Sequence, residues 1–402
     1  MGAEGVKWVS NASSPTLTRY HGAAGANTLY SPATQAAATA YFNILAPWTA
    51  RRCNLWGDGT VTAYYGDRCY TDTDTTNMGP VMVQVPQFCC AVDVITANQV
   101  CYWIGQIGDK FRKSDDSGDY TFDTSDIHPA FLVDGVAKPY AYISAYEGYN
   151  NAGVLESKAG VSPTVSTTKA NFRTYAEANG SGWELMSYQA HAALLDMLTV
   201  EYATLIPDST LGYGNINSGA VANTGYTATA GNASFGSTNV LPMSYRGVEN
   251  MWGNPMKVVE GLRTDAAYGV WVAPQTRVNR ASWSDSSTLT PTGAGDAGTV
   301  VGNYVKTGQV IVAATAGAYI TNVFTTADPY GLWWGFIPSA ASGGNYNTYF
   351  GDDVYNTAAS NIFFVGGYYS GNYANGPYFL GGNIYTITAA YRGARIQYLP
   401  LI

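Results

Sequence analysis

Ser187-Tyr188-Gln189-Ala190-His191-Ala192-Ala193-Leu194-Leu195-Asp196-Met197-Leu198-Thr199-Val200-Glu201-Tyr202-Ala203-Thr204-Leu205 separates this chain from an all-β protein. Leu194, Leu195, Leu198, Tyr202 and Leu205 fall at helical spacing, so the stretch predicts an amphipathic helix with its stripe in a core. Ser187 stands where a side chain can cap the first turn. Ser166 to Asn179 is the only other segment that predicts a helix of comparable strength.

Upstream, the chain reads as short strands. Gly57-Asp58-Gly59 and Gly66-Asp67 punctuate Thr60 to Tyr65, and Val81-Met82-Val83-Gln84-Val85-Pro86 stops at a proline. Downstream, a Gly, Asn, Ser and Thr rich segment runs from Leu211 to Thr238. A long β-like region then continues to the terminus, with turns at Gly343-Gly344, Gly366-Gly367 and Gly381-Gly382. Two helices followed by many short strands predict an α+β protein. The expected division is a β-rich N-terminal module over 1–130 and a second domain over 131–402 that holds the two helices and many short strands.

Composition excludes several functions. Only 12% of the 402 residues are charged while 14% are aromatic, which argues against disorder. A net charge of −8 makes nucleic acid and anionic membrane poor partners, because both are held by Lys and Arg. Val310 to Ile320, the longest apolar run, is too short to span a bilayer, so no membrane insertion is expected. Met1 to Ser10 lacks a basic region followed by an apolar segment, so cytoplasmic synthesis without an export peptide is the expectation. Five cysteines, Cys53, Cys69, Cys89, Cys90 and Cys101, fit neither a disulfide framework nor a zinc ribbon. Buried thiols are expected, with a Cys53–Cys69 bridge as the alternative. The acidic cluster Asp115, Asp116, Asp119, Asp123 and Asp126 matches no calcium loop and reads as a solvated segment.

Ten of the 32 tyrosines lie between Tyr346 and Tyr398, in a stretch rich in Gly, Asn and Ser and without Lys, His, Cys or Glu. Tyrosine supplies stiff, amphipathic contact area, and Ser, Gly and Asn supply adaptable hydrogen bonding, the chemistry of antibody paratopes. Binding is therefore the expected activity.

Tyr245-Arg246-Gly247-Val248-Glu249-Asn250-Met251-Trp252-Gly253-Asn254 resembles the Glu-Asn-x-x-Gly-Asn element of C-type-lectin-like domains related to formylglycine-generating enzymes. The family's usual tryptophan-bearing continuation is replaced here by Pro255-Met256-Lys257-Val258-Val259. Arg392-Gly393-Ala394-Arg395-Ile396 resembles the family's terminal Gly-x-Arg strand. Closer still is the likeness to phage tail-fibre and receptor-binding proteins. It is carried in order by Gly5-Val6-Lys7-Trp8, Ser14-Pro15-Thr16-Leu17-Thr18-Arg19, Arg51-Arg52-Cys53-Asn54-Leu55, Asp58-Gly59-Thr60-Val61, Ala63-Tyr64-Tyr65-Gly66-Asp67, Val81 to Pro86, and Phe172-Arg173-Thr174-Tyr175-Ala176. Val365-Gly366-Gly367 followed by Tyr368-Tyr369, and later Gly393-Ala394-Arg395, is similar to the variable end of proteins rewritten by diversity-generating retroelements.

These resemblances imply a C-type-lectin-like ligand-binding domain over 131–402, an N-terminal module over 1–130 able to attach it to a particle, and a diversified face within about 338–398. Its candidate contacts are Tyr346, Asn347, Tyr355, Tyr368, Tyr369, Ser370, Asn372, Tyr373, Tyr378, Asn383, Tyr385 and Tyr391, about half of them expected to be scaffold. Trp333, Trp334, Phe336, Phe363 and Ile396 are expected in the core beneath. The implied setting is the virion, on a phage tail, acting outside the host cell. A host-cell surface protein or glycan and other virion proteins are the expected partners, and a homotrimer is an open assembly. No metal and no cofactor are expected.

Enzymatic alternatives find little support. The formylglycine-generating branch uses a terminal cysteine pair, and no cysteine follows Cys101. The iron-dependent branch needs histidines, and the chain offers only His21, His128 and His191, the last with Leu195 at its i+4 position. Asp352-Asp353 are adjacent acids expected to point to opposite sides, and no Ser-His-Asp pattern with a G-x-S-x-G elbow is present. The competing non-enzymatic readings are a structural virion or surface protein whose tyrosines form subunit contacts, and a bacterial cell-displayed binding protein.

Overall fold

The computed structural model describes residues 2–10, 12–96, 98–273, 285, 288–302, 304–325, 335–356 and 362–400. It is a strand-rich α+β protein, 36% strand and 14% helix. Trp333 and Trp334 lie outside the described residues.

Ser187 caps the central helix, accepting from the Ala190 amide at 3.2 Å. The helix runs Tyr188–Tyr202 and ends at Ala203, whose φ of 50° takes the chain out of the helical region, so Thr204 and Leu205 lie beyond it. All 15 of its residues are buried, so it is enclosed on every side rather than half-sunk behind the expected stripe. It packs against strands Glu4–Val9, Gln99–Gly105 and Met256–Thr264 and a further helix, Gln35–Phe42. The sequence of that further helix, Gln-Ala-Ala-Ala-Thr-Ala-Tyr-Phe, segregates polar and apolar positions too weakly to reveal a period; its start is fixed by Thr34, which caps the Ala37 amide. The other expected helix is shorter than the Ser166 to Asn179 reading. Ser166 is left-handed at φ 59° and Thr168 provides the cap, so the helix occupies Lys169–Glu177.

Each polar residue inside the central helix has a partner. Asp196 meets His128 at 3.2 Å, and Thr199 shares a hydrogen bond with the Tyr378 hydroxyl at 2.6 Å. Glu201 accepts from both Nε and Nη2 of Arg246, at 2.8 and 2.7 Å, and from the Tyr245 hydroxyl at 2.9 Å.

The described residues form three larger sheets, and the helix packs on two of them, the five-stranded and the ten-stranded. A five-stranded antiparallel sheet has the order Thr28–Leu29, Thr18–His21, Glu4–Val9, Gln99–Gly105, Cys89–Thr96. A six-stranded antiparallel sheet has the order Trp183–Leu185, Ile396–Tyr398, Tyr140–Ser144, Val81–Pro86, Arg51–Leu55, Val61–Tyr64. It draws strands from both sides of residue 130, and one hydrophobic cluster runs from Ala3 to Leu399. The two expected modules therefore share a sheet and a core.

The largest sheet has ten strands. Val300–Val301, Tyr304–Val310, Gly269–Val272, Met256–Thr264, Ile362–Val365, Leu380–Asn383, Asp353–Asn356, Ala314–Val323 and Pro338–Ser342 follow in order, and Arg392–Ala394 lies parallel to Met256–Thr264. Met256–Thr264 is buried throughout despite Lys257, Glu260 and Arg263. Those charges are matched: Glu260 pairs with Lys169 at 3.0 Å and Arg173 at 2.6 Å, Lys257 lies 3.8 Å from Glu147, and Arg263 donates to the Asp285 carbonyl.

All five cysteines are free; Cys69 is exposed and the others are buried, so the alternative Cys53–Cys69 bridge does not form. Burial pushes the Cys53 thiol up to about 12. In the acidic cluster, Asp123 and Asp126 form a reciprocal cap for the turn Thr124–Asp126. Among the described residues no helix is long and apolar enough to cross a membrane.

Replacing Glu201 by alanine should remove about 3–5 kcal/mol of stability by leaving the Arg246 guanidinium buried without its carboxylate. Urea denaturation of the variant and wild type measures the loss.

Candidate functional site

The segment Tyr245 to Asn254 is a buried polar platform. Arg246, Asn250 and Asn254 all have positive φ, at 46°, 51° and 57°, which folds the chain into successive tight turns and aims main-chain groups at neighbouring segments. The Glu249 carboxylate accepts from the amides of Gly225 and Thr227 at 2.7 and 2.6 Å and from the Thr227 hydroxyl at 2.8 Å. The Asn254 side chain bonds the Ala222 amide at 2.7 Å and carbonyl at 3.1 Å, as a peptide group would in a sheet. Asn250 donates to Glu147 at 3.0 Å, and Lys257 donates to the Gly253 carbonyl at 2.7 Å. Arg395 closes the platform, donating to the carbonyls of Ser144, Glu249 and Asn250.

The tyrosine-rich loop rests on this platform through Gly366-Gly367. A Cβ on Gly366 would lie 2.6 Å from the Met251 carbonyl, and one on Gly367 would lie 2.3 Å from the Asn375 carbonyl. Both glycines have positive φ, 76° and 55°, which other residues adopt only at a cost. Their small size permits the Gly253 amide to reach the Gly366 carbonyl at 2.6 Å and the Tyr369 amide to reach the Asn254 carbonyl at 2.8 Å.

Two buried carboxyls lie at the far end of the loop, and one of them, Asp352, holds it. Asp352 accepts from the amides of Gly376 and Tyr378, and a Cβ on Gly376 would lie 2.7 Å from Asp352 and 3.1 Å from Asp208. Burial raises both carboxyls, Asp208 to about 7, and each disfavours ionisation of the other.

The loop and the strands Asp353–Asn356, Ile362–Val365, Leu380–Asn383 and Arg392–Ala394 of the ten-stranded sheet enclose a cleft of about 400 Å³. Tyr355, Tyr368, Ser370, Asn372, Asn383 and Tyr391 line it, six of the twelve residues expected from sequence. Tyr368 and Tyr391 pack with ring centroids 4.7 Å apart, and burial with these neighbours raises the Tyr368 hydroxyl. Tyr346 and Tyr373 form a separate aromatic group with Tyr213, centroids 4.9 and 4.7 Å from Tyr373. Asn239 donates to the Tyr373 hydroxyl at 3.0 Å. Tyr369 packs edge-on to Tyr368 beside the cleft. Asn347 and Tyr385 are exposed but do not line it.

Tyr378 is a correction. It is 3% exposed, packs on Phe336 and Phe350 and bonds Thr199, because the Asp352 contacts to its own amide turn it inward. It belongs to the core with Phe336, Phe363 and Ile396.

The sequence reading missed Arg392, Asp353, Ile387, Phe364 and Phe379 of the lining. A signal for the charged pair was present: Asp353 and Arg392 bracket an uncharged run that contains most of the cleft residues. Asp352 faces the core while Asp353 lines the cleft, so the adjacent acids do diverge. His191 is buried in the central helix, and burial, with Lys257 nearby, lowers it to about 3. Among the described residues no three His, Cys, Asp or Glu side chains converge as a metal site.

Compared with known proteins, the chain matches no family model and no curated protein sequence.

The buried carboxyl pair sets a pH dependence. The folded state retains a proton that the unfolded chain has released, so stability should fall as pH rises from the ordinary carboxylate range through about 7. Denaturation at pH 5 and pH 7.5 checks this, and Asp208→Asn should flatten the slope and stabilise the protein at the higher pH.

Proposed function

We propose that this is a noncovalent receptor- or ligand-binding protein of the phage tail-fibre kind, acting from the virion on a host-cell surface. Its binding face is the tyrosine- and amide-lined cleft carried by a C-type-lectin-like scaffold. The observation that carries this reading is the convergence of Tyr355, Tyr368, Ser370, Asn372, Asn383 and Tyr391, distant in sequence, on one cleft. Aromatic faces and fixed amides recognise a ligand without bond-breaking chemistry.

The ionisable groups of that cleft are Asp353, Arg392 and three tyrosines. A single carboxylate does not supply the acid and base of glycoside cleavage, so the set supports binding rather than hydrolysis. The division of labour also supports a diversifiable face. Ser370 and Asn372 are exposed and Tyr368, Tyr369 and Tyr391 are half-buried, whereas the glycines and platform residues that fix the loop are buried. Letters at the rim can change while Gly366, Gly367, Asn254 and Arg395 keep the backbone in place.

Tyr368→Ala combined with Asn372→Ala should weaken binding to susceptible cells by about thirtyfold or more, the effect of losing a central aromatic contact. The melting temperature should fall by only about 2–4 °C. Flow cytometry with labelled protein and a thermal melt measure the two; binding unchanged at an intact melt contradicts the site.

A further inference from the structure

Arg392 differs from the other charged residues around the platform. It is 6% exposed and lines the cleft, yet its Nε and Nη1 have no hydrogen-bond partner. Arg246 is saturated by Glu201, Asn43 and Trp48, and Arg395 by three carbonyls. The Arg392 guanidinium instead lies on aromatic rings, 4.6 Å from the Phe364 centroid and 5.1 Å from that of Tyr391. Rings fix the plane of the fork but leave its N–H edge unsatisfied. A guanidinium keeps its proton at ordinary pH, so the unfilled donors call for an anion.

The surroundings narrow that anion. Tyr355, Tyr368 and Tyr391 lie within electrostatic reach of the guanidinium, offering hydroxyls beside it. Asp353, already engaged by a neighbour, lies in the same cleft and repels a dianion such as phosphate more than a single carboxylate. A carboxylate also matches the two-pronged geometry of the fork. Around it, Phe379, Tyr368 and Tyr391 present ring surface, while Ser370, Asn372 and Asn383 present hydroxyl and amides. Ring faces beside fixed polar groups suit a saccharide, with its apolar C–H face and its hydroxyl edge, better than an acidic peptide side chain. The cleft volume of about 400 Å³ accommodates a saccharide unit rather than a folded surface.

We infer that the cleft binds an acidic glycan, with Arg392 receiving the carboxylate of a sugar acid while the tyrosines cover its ring. This rests on the reading of the cleft as the binding face and specifies its ligand. The test is an array of glycans bearing uronic acids or sialic-acid-type sugars, each paired with its carboxyl-reduced counterpart, together with glutamate-rich peptides. Wild-type protein should bind at least one acidic glycan and lose about thirtyfold or more on its reduced partner, a comparison that needs no variant. Arg392→Gln should lose the acid preference and Arg392→Lys should keep a fraction of it, both with melts near wild type. Equal binding of acid and reduced forms, binding of the peptides but not the glycans, or an intact acid preference in Arg392→Gln overturns the inference. Whole cells separate the two claims. If Tyr368→Ala abolishes cell binding while the array shows no acid preference, the cleft stands and the sugar-acid assignment fails. If Tyr368→Ala leaves cell binding unchanged, both fail.

Discussion

The Arg395 guanidinium, 1% exposed, holds three parts of the molecule together. It donates to the carbonyls of Ser144 in the six-stranded sheet and of Glu249 and Asn250 in the platform. Its own backbone lies between Arg392–Ala394 in the ten-stranded sheet and Ile396–Tyr398 in the six-stranded one. A planar, permanently charged fork can satisfy carbonyls from several directions at once, which a lysine ammonium at the same place would do with less directional control. The positive φ of Asn250 belongs to the same arrangement, because the turn presents consecutive carbonyls to one guanidinium.

From that anchor the loop geometry follows by contact. Arg395 fixes Glu249 and Asn250, the Asn254 and Lys257 side chains fix the following turn, and Gly366-Gly367 lies directly on its backbone. The loop then bends back to Asp352, which holds its far end by two amides. One end is tied by backbone hydrogen bonds and the other by the Asp352 carboxyl, and Tyr368, Ser370 and Asn372 between them contribute side chains to the cleft. Such a loop is a preorganised one: ligand contacts can form without first ordering the chain. Recognition by a changeable set of side chains, as proposed for this protein, depends on that separation.

The sequence made some of this legible and hid the rest for physical reasons. The central helix announced itself by its leucine spacing, and Ser187 by its capping position. The full burial of the helix was hidden because Asp196, Thr199 and Glu201 look solvent-facing until His128, Tyr378 and Arg246 arrive from remote segments. Met256–Thr264 was hidden in the same way, since Lys257, Glu260 and Arg263 break the apolar run that a buried strand usually shows. The joining of residues 51–86 to 140–144 and 396–398 in one sheet is long-range pairing with no local signature. Tyrosine density pointed to the segment that lines the cleft but could not separate Tyr378, turned inward, from Tyr368. Arg392 escaped notice because its neighbour in the motif, Arg395, is the structural one.

The most direct measurement is hydroxyl-radical footprinting of the protein bound to the surface of susceptible cells, read residue by residue at its aromatic and aliphatic side chains. Protection should concentrate on Tyr355, Tyr368 and Tyr391, which line the cleft, while Leu29 and Ile44, 68% and 77% exposed in the N-terminal region, keep their free reactivity. Protection confined to Leu29, Ile44 and their surroundings, with the cleft tyrosines as reactive as in the unbound protein, would contradict the account.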